Sequence, residues 1–210
     1  MGTNISTISM RAGRYATGLQ FSILTVVFMS ALSSLALAQD EHAHAATSDQ
    51  QTMTAEQQNR AGALIKLVRE STERFKNVAA AENEGYALQF GCVTGPDAGA
   101  MGLHYVNSEL VNKGVLDATR PQIVIYEPIP GGGLKLIGAD YLLIASAWHA
   151  THKDPPELMG QLFHYWETPN RFGLPAFYTL HVWAWKNNPN GAFVNWHPHV
   201  SCQSFAGQNP

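Results

Sequence analysis

The chain has 210 residues, 45% of them hydrophobic and 14% charged. That is enough apolar surface for one core, and it excludes a disordered chain. The formal net charge is −3 and no stretch is strongly basic, which excludes a nucleic-acid partner held through its phosphates.

Residues 1–38 predict an export signal. Arg11 and Arg14 give a positive start, residues 21–29 an apolar stretch, and Ala36-Leu37-Ala38 a small-residue cleavage site. The competing reading is an uncleaved membrane anchor. Cleavage after Ala38 would start the mature chain at Gln39. No later apolar run is long enough to span a bilayer, so no membrane contact is expected after cleavage. Residues 39–53 read as a flexible leader. Its His42 and His44 are either part of a solvated linker or a short metal-catching tract. Residues 54–210 are expected to form a single globular domain.

Thr54-Ala55-Glu56-Gln57 is a capping box, with Thr54 as N-cap and Gln57 reaching back. Ala61, Leu64, Ile65, Val68, Phe75, Val78 and Ala79 then recur at helical spacing, which predicts one long amphipathic helix fading at Glu84-Gly85. From Gly91 the character changes. Gly91, Gly95, Gly99 and Gly102 predict a loop whose backbone passes close to another segment. Residues 101–107 follow as an extended piece, and 109–114 as a turn or short helix. Residues 122–127 and 134–147 read as a hairpin across a glycine-rich turn, with an interruption near Gly138. Residues 161–167 fit a strand or a helical turn. Residues 178–186 read as a strand whose alternation puts Thr179, His181, Trp183 and Trp185 on one face. One helix followed by several strands predicts an α+β fold: a long N-terminal helix on a mostly antiparallel sheet, open or barrel-like.

Export bears on the cysteines. The chain has two, Cys92 and Cys202. In an oxidising compartment a lone pair is most simply a disulfide, here closing a loop of about 110 residues.

Histidine is the main polar functional group of the folded part: His104, His149, His152, His164, His181, His197 and His199. Neutral imidazole is a good ligand for zinc, copper, nickel and iron. His149-x-x-His152 and His197-x-His199 have no recognised metal spacing. Pro155-Pro156 and Pro198 favour loop at both. The stronger constellation is long-range. His104 lies mid-segment after the glycines, His181 lies mid-strand among tryptophans, and Asp140 interrupts an apolar strand where an unpaired carboxylate is costly. Together they predict an open site for a divalent transition metal, provided the imidazoles lie within about 8 Å of each other. The competing reading makes His104 and His181 hydrogen-bonded core histidines and leaves Asp140 exposed beside a turn. No nucleophile elbow, phosphate loop or dinucleotide motif is present. A second functional reading is a non-enzymatic binding domain. In it Tyr105, Trp183 and Trp185 line a pocket for a small-molecule ligand, apolar or carbohydrate-like.

Several motifs carry a resemblance. Ala100-Met101-Gly102-Leu103-His104-Tyr105-Val106-Asn107, Ile125-Tyr126-Glu127-Pro128, Leu180-His181-Val182-Trp183-Ala184-Trp185 and Asn188-Pro189-Asn190-Gly191-Ala192-Phe193, ending at Cys202, resemble a family of exported bacterial proteins of unassigned function. The resemblance runs from about Gly85 onward. It implies histidines at His104 and His181 and cysteines at Cys92 and Cys202. It also implies a glutamate where Asp140 stands, so the acid is kept but shortened. Where His197 stands the family resembles Trp-Asn-Pro, which argues against a ligand role there. It implies no particular reaction.

Overall fold

The computed structural model describes residues 53–95 and 97–207. The expected signal segment, 1–38, and nearly all of the leader, 39–53, lie outside the described residues.

Thr54 caps the first helix as the sequence requires. Its hydroxyl accepts from the Gln57 amide at 3.2 Å, and the Gln57 side chain accepts from the Thr54 amide at 2.8 Å. The helix, α1 (Ala55–Thr72), is shorter than the apolar pattern suggests. A 3-10 turn, Glu73–Lys76, follows it. The Asn77 side chain then accepts from the Ala79 amide and starts a new helix, α2 (Val78–Asn83). The break lets Phe75 turn inward, 1% exposed, with its ring centroid 5.1 Å from that of Tyr86.

Six strands form one antiparallel sheet. In chain order they are β1 (Ala87–Gly95), β2 (Gly99–Val106), β3 (Ile123–Ile129), β4 (Gly133–Ile144), β7 (His164–Trp166) and β8 (Phe177–Val182). The spatial order is β1-β2-β3-β4-β8-β7. Short helices α3 (Ser108–Lys113) and α4 (Ala145–His149) sit at strand ends, and β5 (Glu157–Leu158) pairs with β6 (Gln161–Leu162) apart from the main sheet. The fold is α+β, and the sheet curls into a half-barrel.

The glycines produce the curl. The expected loop from Gly91 is instead a hairpin of β1 and β2, but its close backbone approach is real. Gly102 has φ +97°, and a Cβ there would lie 2.6 Å from the Tyr126 carbonyl oxygen. On β4, Ile125 pairs with Gly138 and Tyr126 with Leu136, so Ile137 is an extra, bulged residue. The Ile137 carbonyl instead accepts from the amides of Trp185 and Lys186, at 3.0 and 3.1 Å. A Cβ on Gly138 would lie 2.6 Å from the Val182 carbonyl oxygen. The expected strand through Lys186 therefore leaves the ladder after Val182, and residues 145–147 turn into α4.

Two cores result. Leu64 and Val68 of α1 pack with Ala139, Tyr141, Leu143, Leu180 and Val182 on one face of the sheet. Asp140, Leu142, Thr179 and His181 alternate with these residues and so point to the other face. The helix therefore covers the face opposite the histidines. The Cys92–Cys202 disulfide is formed, with a sequence separation of 110. It ties the C-terminal tail to β1, and on the neighbouring β2 Ala100 exchanges backbone hydrogen bonds with His197 at 3.1 and 3.2 Å. Among the described residues, no helix is long and apolar enough to cross a membrane.

Candidate metal centre

His104 projects from β2, Asp140 from β4 and His181 from β8. The β4–β8 register sets Asp140 directly opposite His181. His104 is farther off: β2 and β8 are separated by three strand steps, about 14 Å in a flat sheet. The curl closes that gap. His104 Nε2 and His181 Nε2 lie 3.3 Å apart, well inside the limit set from the sequence. One ligand atom from each of His104, Asp140 and His181 lies within 4.8 Å of the others. The three residues are 6%, 2% and 2% exposed, so Asp140 is not an exposed acid beside a turn.

The ring nitrogens can be assigned from their partners. His104 Nδ1 lies 3.2 Å from the Gly102 carbonyl oxygen, which only accepts, so the proton sits on Nδ1 and Nε2 carries the lone pair. His181 Nδ1 faces Asp140 Oδ2 at 3.6 Å, too long for a hydrogen bond. A proton on that nitrogen is favoured by the carboxylate, whereas a lone pair there would be repelled. With the His181 proton on Nδ1 both Nε2 lone pairs face each other; with it on Nε2 the same contact is an N–H···N hydrogen bond to His104. Two nitrogens bound to one tetrahedral ion at 2.0–2.1 Å are expected about 3.3–3.4 Å apart. Such a contact between neutral imidazoles invites a cation between them.

Electrostatics keep the imidazoles neutral. Burial lowers His104 to about 4, helped by nearby His181 and opposed by Asp140 and the Gly102 carbonyl. Burial lowers His181 to about 3; His164 adds to this and Asn195 opposes it. Asn195 Oδ1 and His181 Nδ1 are both buried without a hydrogen-bond partner, so Asn195 adjoins the site without closing a bond. Burial raises Asp140 to about 6; His104, the Thr179 hydroxyl and the Leu180 and Tyr141 amides pull it back. Thr179 donates to Asp140 Oδ1 at 2.6 Å.

Above these groups lies a cavity of about 30 Å³, walled by Phe90, Met101, Ile123, Leu142, Trp166, Phe172, Leu174 and Phe177. Tyr105, Trp183 and Trp185 are not among its walls. Tyr105 follows His104 and points to the other face, its ring centroid 5.0 Å from that of Tyr126. Trp183 lies beside His181, centroids 6.0 Å apart, but donates to the Val194 carbonyl at 2.6 Å beyond the end of β8. Trp185 donates to the Thr72 hydroxyl at 3.0 Å. The wall residues Phe90, Phe172 and Phe177 stood in the sequence as unremarked aromatics. The alternation of Phe177 with Thr179 and His181 was the one available signal for any of them.

Among the described residues, His197, His149 and His152 are engaged elsewhere. His197 Nε2 donates to the Asn187 carbonyl at 3.0 Å and Nδ1 accepts from the His199 amide at 3.0 Å, leaving no lone pair for a metal. His149 meets the Tyr178 hydroxyl at 2.9 Å. His152 stacks on Trp148, centroids 3.7 Å apart.

Fold and site together define an α+β protein with two histidines and an aspartate buried close enough to bind a metal ion. Comparison with protein-family models, with curated proteins and with solved structures returns no match.

Proposed function

We propose that this protein is an exported domain that holds one divalent transition metal ion at His104, His181 and Asp140. The observation that carries the reading is the 3.3 Å approach of the two Nε2 atoms. Both imidazoles are neutral at physiological pH, the form that ligates, and Asp140 supplies negative charge. Two nitrogens and one oxygen suit zinc, copper, nickel or iron and leave a position open toward the cavity. A metal so placed could activate water for attack on a small bound substrate. The export signal, the disulfide and the resemblance to exported proteins support a periplasmic or secreted location, and nothing in the charge pattern favours a nucleic-acid partner. A second reading, a non-enzymatic pocket, is favoured by the aromatic ring pairs above the histidines, Phe90–Phe172 at 5.5 Å among them.

Protein purified without a histidine tag should carry close to one equivalent of such a metal by elemental analysis. His181→Ala should carry almost none while keeping its near-ultraviolet circular dichroism. Less than about a tenth of an equivalent in the wild type, with no thermal shift on adding zinc, copper, nickel or iron, overturns the metal reading and leaves the pocket.

A further inference from the structure

The cavity over the histidines is small and apolar, with aromatic rings along its walls, and those properties define what fits. A cavity of about 30 Å³ takes only a small molecule. No lysine or arginine lines it, and its one ionisable acid is Asp140. An anion would meet the Asp140 carboxylate with no protein cation to offset it. On the floor, the Thr179 hydroxyl is committed to Asp140 and His104 Nδ1 to Gly102. His181 Nδ1, on a side chain 3% exposed, has no partner.

The rim draws on both edges of the sheet. Phe90 sits in a bulge of β1, where the register jumps from Gln89 to Cys92, and is held at φ +65°, a strained conformation for phenylalanine. Its ring packs edge-on against Phe172, on the loop between β7 and β8, with centroids 5.5 Å apart. Arg171 Nη1 donates to the Thr94 carbonyl of β1 at 2.7 Å, joining the loop to the far edge of the sheet. Asn170 organises the loop: its Oδ1 accepts from the Phe172 and Leu174 amides at 3.2 and 3.3 Å.

We propose that this cavity binds a small uncharged molecule, with its body on the apolar walls and one end against the His104–His181 pair. The inference goes beyond the metal-site reading and is drawn for the metal-free site. The fit itself needs no ion.

Xenon is a neutral apolar probe suited to so small a cavity. In the full chain stripped of metal by chelation, xenon pressure should shift the side-chain methyl resonances of Met101, Ile123 and Leu142 saturably. Leu142→Phe fills the space and should weaken this at least about tenfold. Phe172→Ala opens the mouth and should admit indole, which the wild type rejects. Azide, an anion of similar size, should leave these resonances unmoved. The proposal is overturned by any of three results: no saturable xenon shift in the wild type, equal indole binding by wild type and Phe172→Ala, or azide shifting the same methyl groups. If Leu142→Phe does not fold, the Phe172→Ala comparison decides. Metal loading is scored separately. Xenon binding without metal uptake sinks only the metal reading, and metal uptake without xenon binding sinks only this one.

Discussion

Asp140 is 2% exposed, and its side chain has one side-chain donor, Thr179 at 2.6 Å. Its folded pKa, about 6, lies above the ordinary 3.8. For a carboxyl raised in this way, stability is lost as pH rises through the folded value, so at pH 7 the metal-free protein bears the whole cost. Asparagine keeps the shape and can still accept from Thr179, but carries no charge. Asp140→Asn should therefore stabilise the metal-free protein at pH 7 by about 1–3 kcal/mol in urea unfolding. The same change should weaken metal binding by about 10–100-fold, whether Asp140 is a ligand or orients His181. Opposite signs in the two measurements identify a residue kept for binding at the expense of stability. A loss in both would mark Asp140 as structural.

At the scale of elements, regular pieces were legible and irregular ones were not. The Thr54 capping box, the β3–β4 hairpin and the alternation of Thr179 with His181 are local patterns, and each stands where the sequence puts it. The breaks at Asn77 and Val182 depend on a side-chain cap and on a carbonyl pressed against Gly138, which no periodicity encodes. Most motif residues serve the frame. Asn107 caps α3 by accepting from the Leu110 amide at 3.0 Å, Glu127 pairs with Lys186 at 2.7 Å, and Asn188 donates to the Trp196 carbonyl at 2.8 Å. Only His104 and His181 of those stretches reach the candidate metal centre. Gly138 tests the link between frame and centre. A methyl group there meets backbone, not a movable side chain, at the end of the strand that carries His181. Gly138→Ala should cost about 2–3 kcal/mol and weaken metal binding, measured by urea unfolding and metal titration. An unchanged affinity would show that the bulge does not set the position of His181.

The whole molecule integrates these groups through its dependence on acid. In the unfolded chain both site histidines take up protons near pH 6.5, whereas in the fold they do so only near 4 and 3. As pH falls below 6.5 the unfolded state therefore binds more protons and gains on the folded one. Asp140 works the other way, taking its proton near 6 in the fold. His197, also lowered by burial, adds to the histidine side. With two site histidines against one carboxyl, the metal-free protein should lose about 3–4 kcal/mol between pH 7 and pH 4. The disulfide does not titrate in this range, so its constraint on the unfolded chain is a constant background. Urea unfolding at several pH values reads the slope directly. In a His104→Gln/His181→Gln variant the site imidazoles no longer contribute, Asp140 opposes His197, and the slope between pH 6.5 and 4.5 should flatten. Bound metal should steepen it in the wild type, since protons compete for the same nitrogens. A double variant as acid-sensitive as the wild type would place the responsible groups outside the candidate centre.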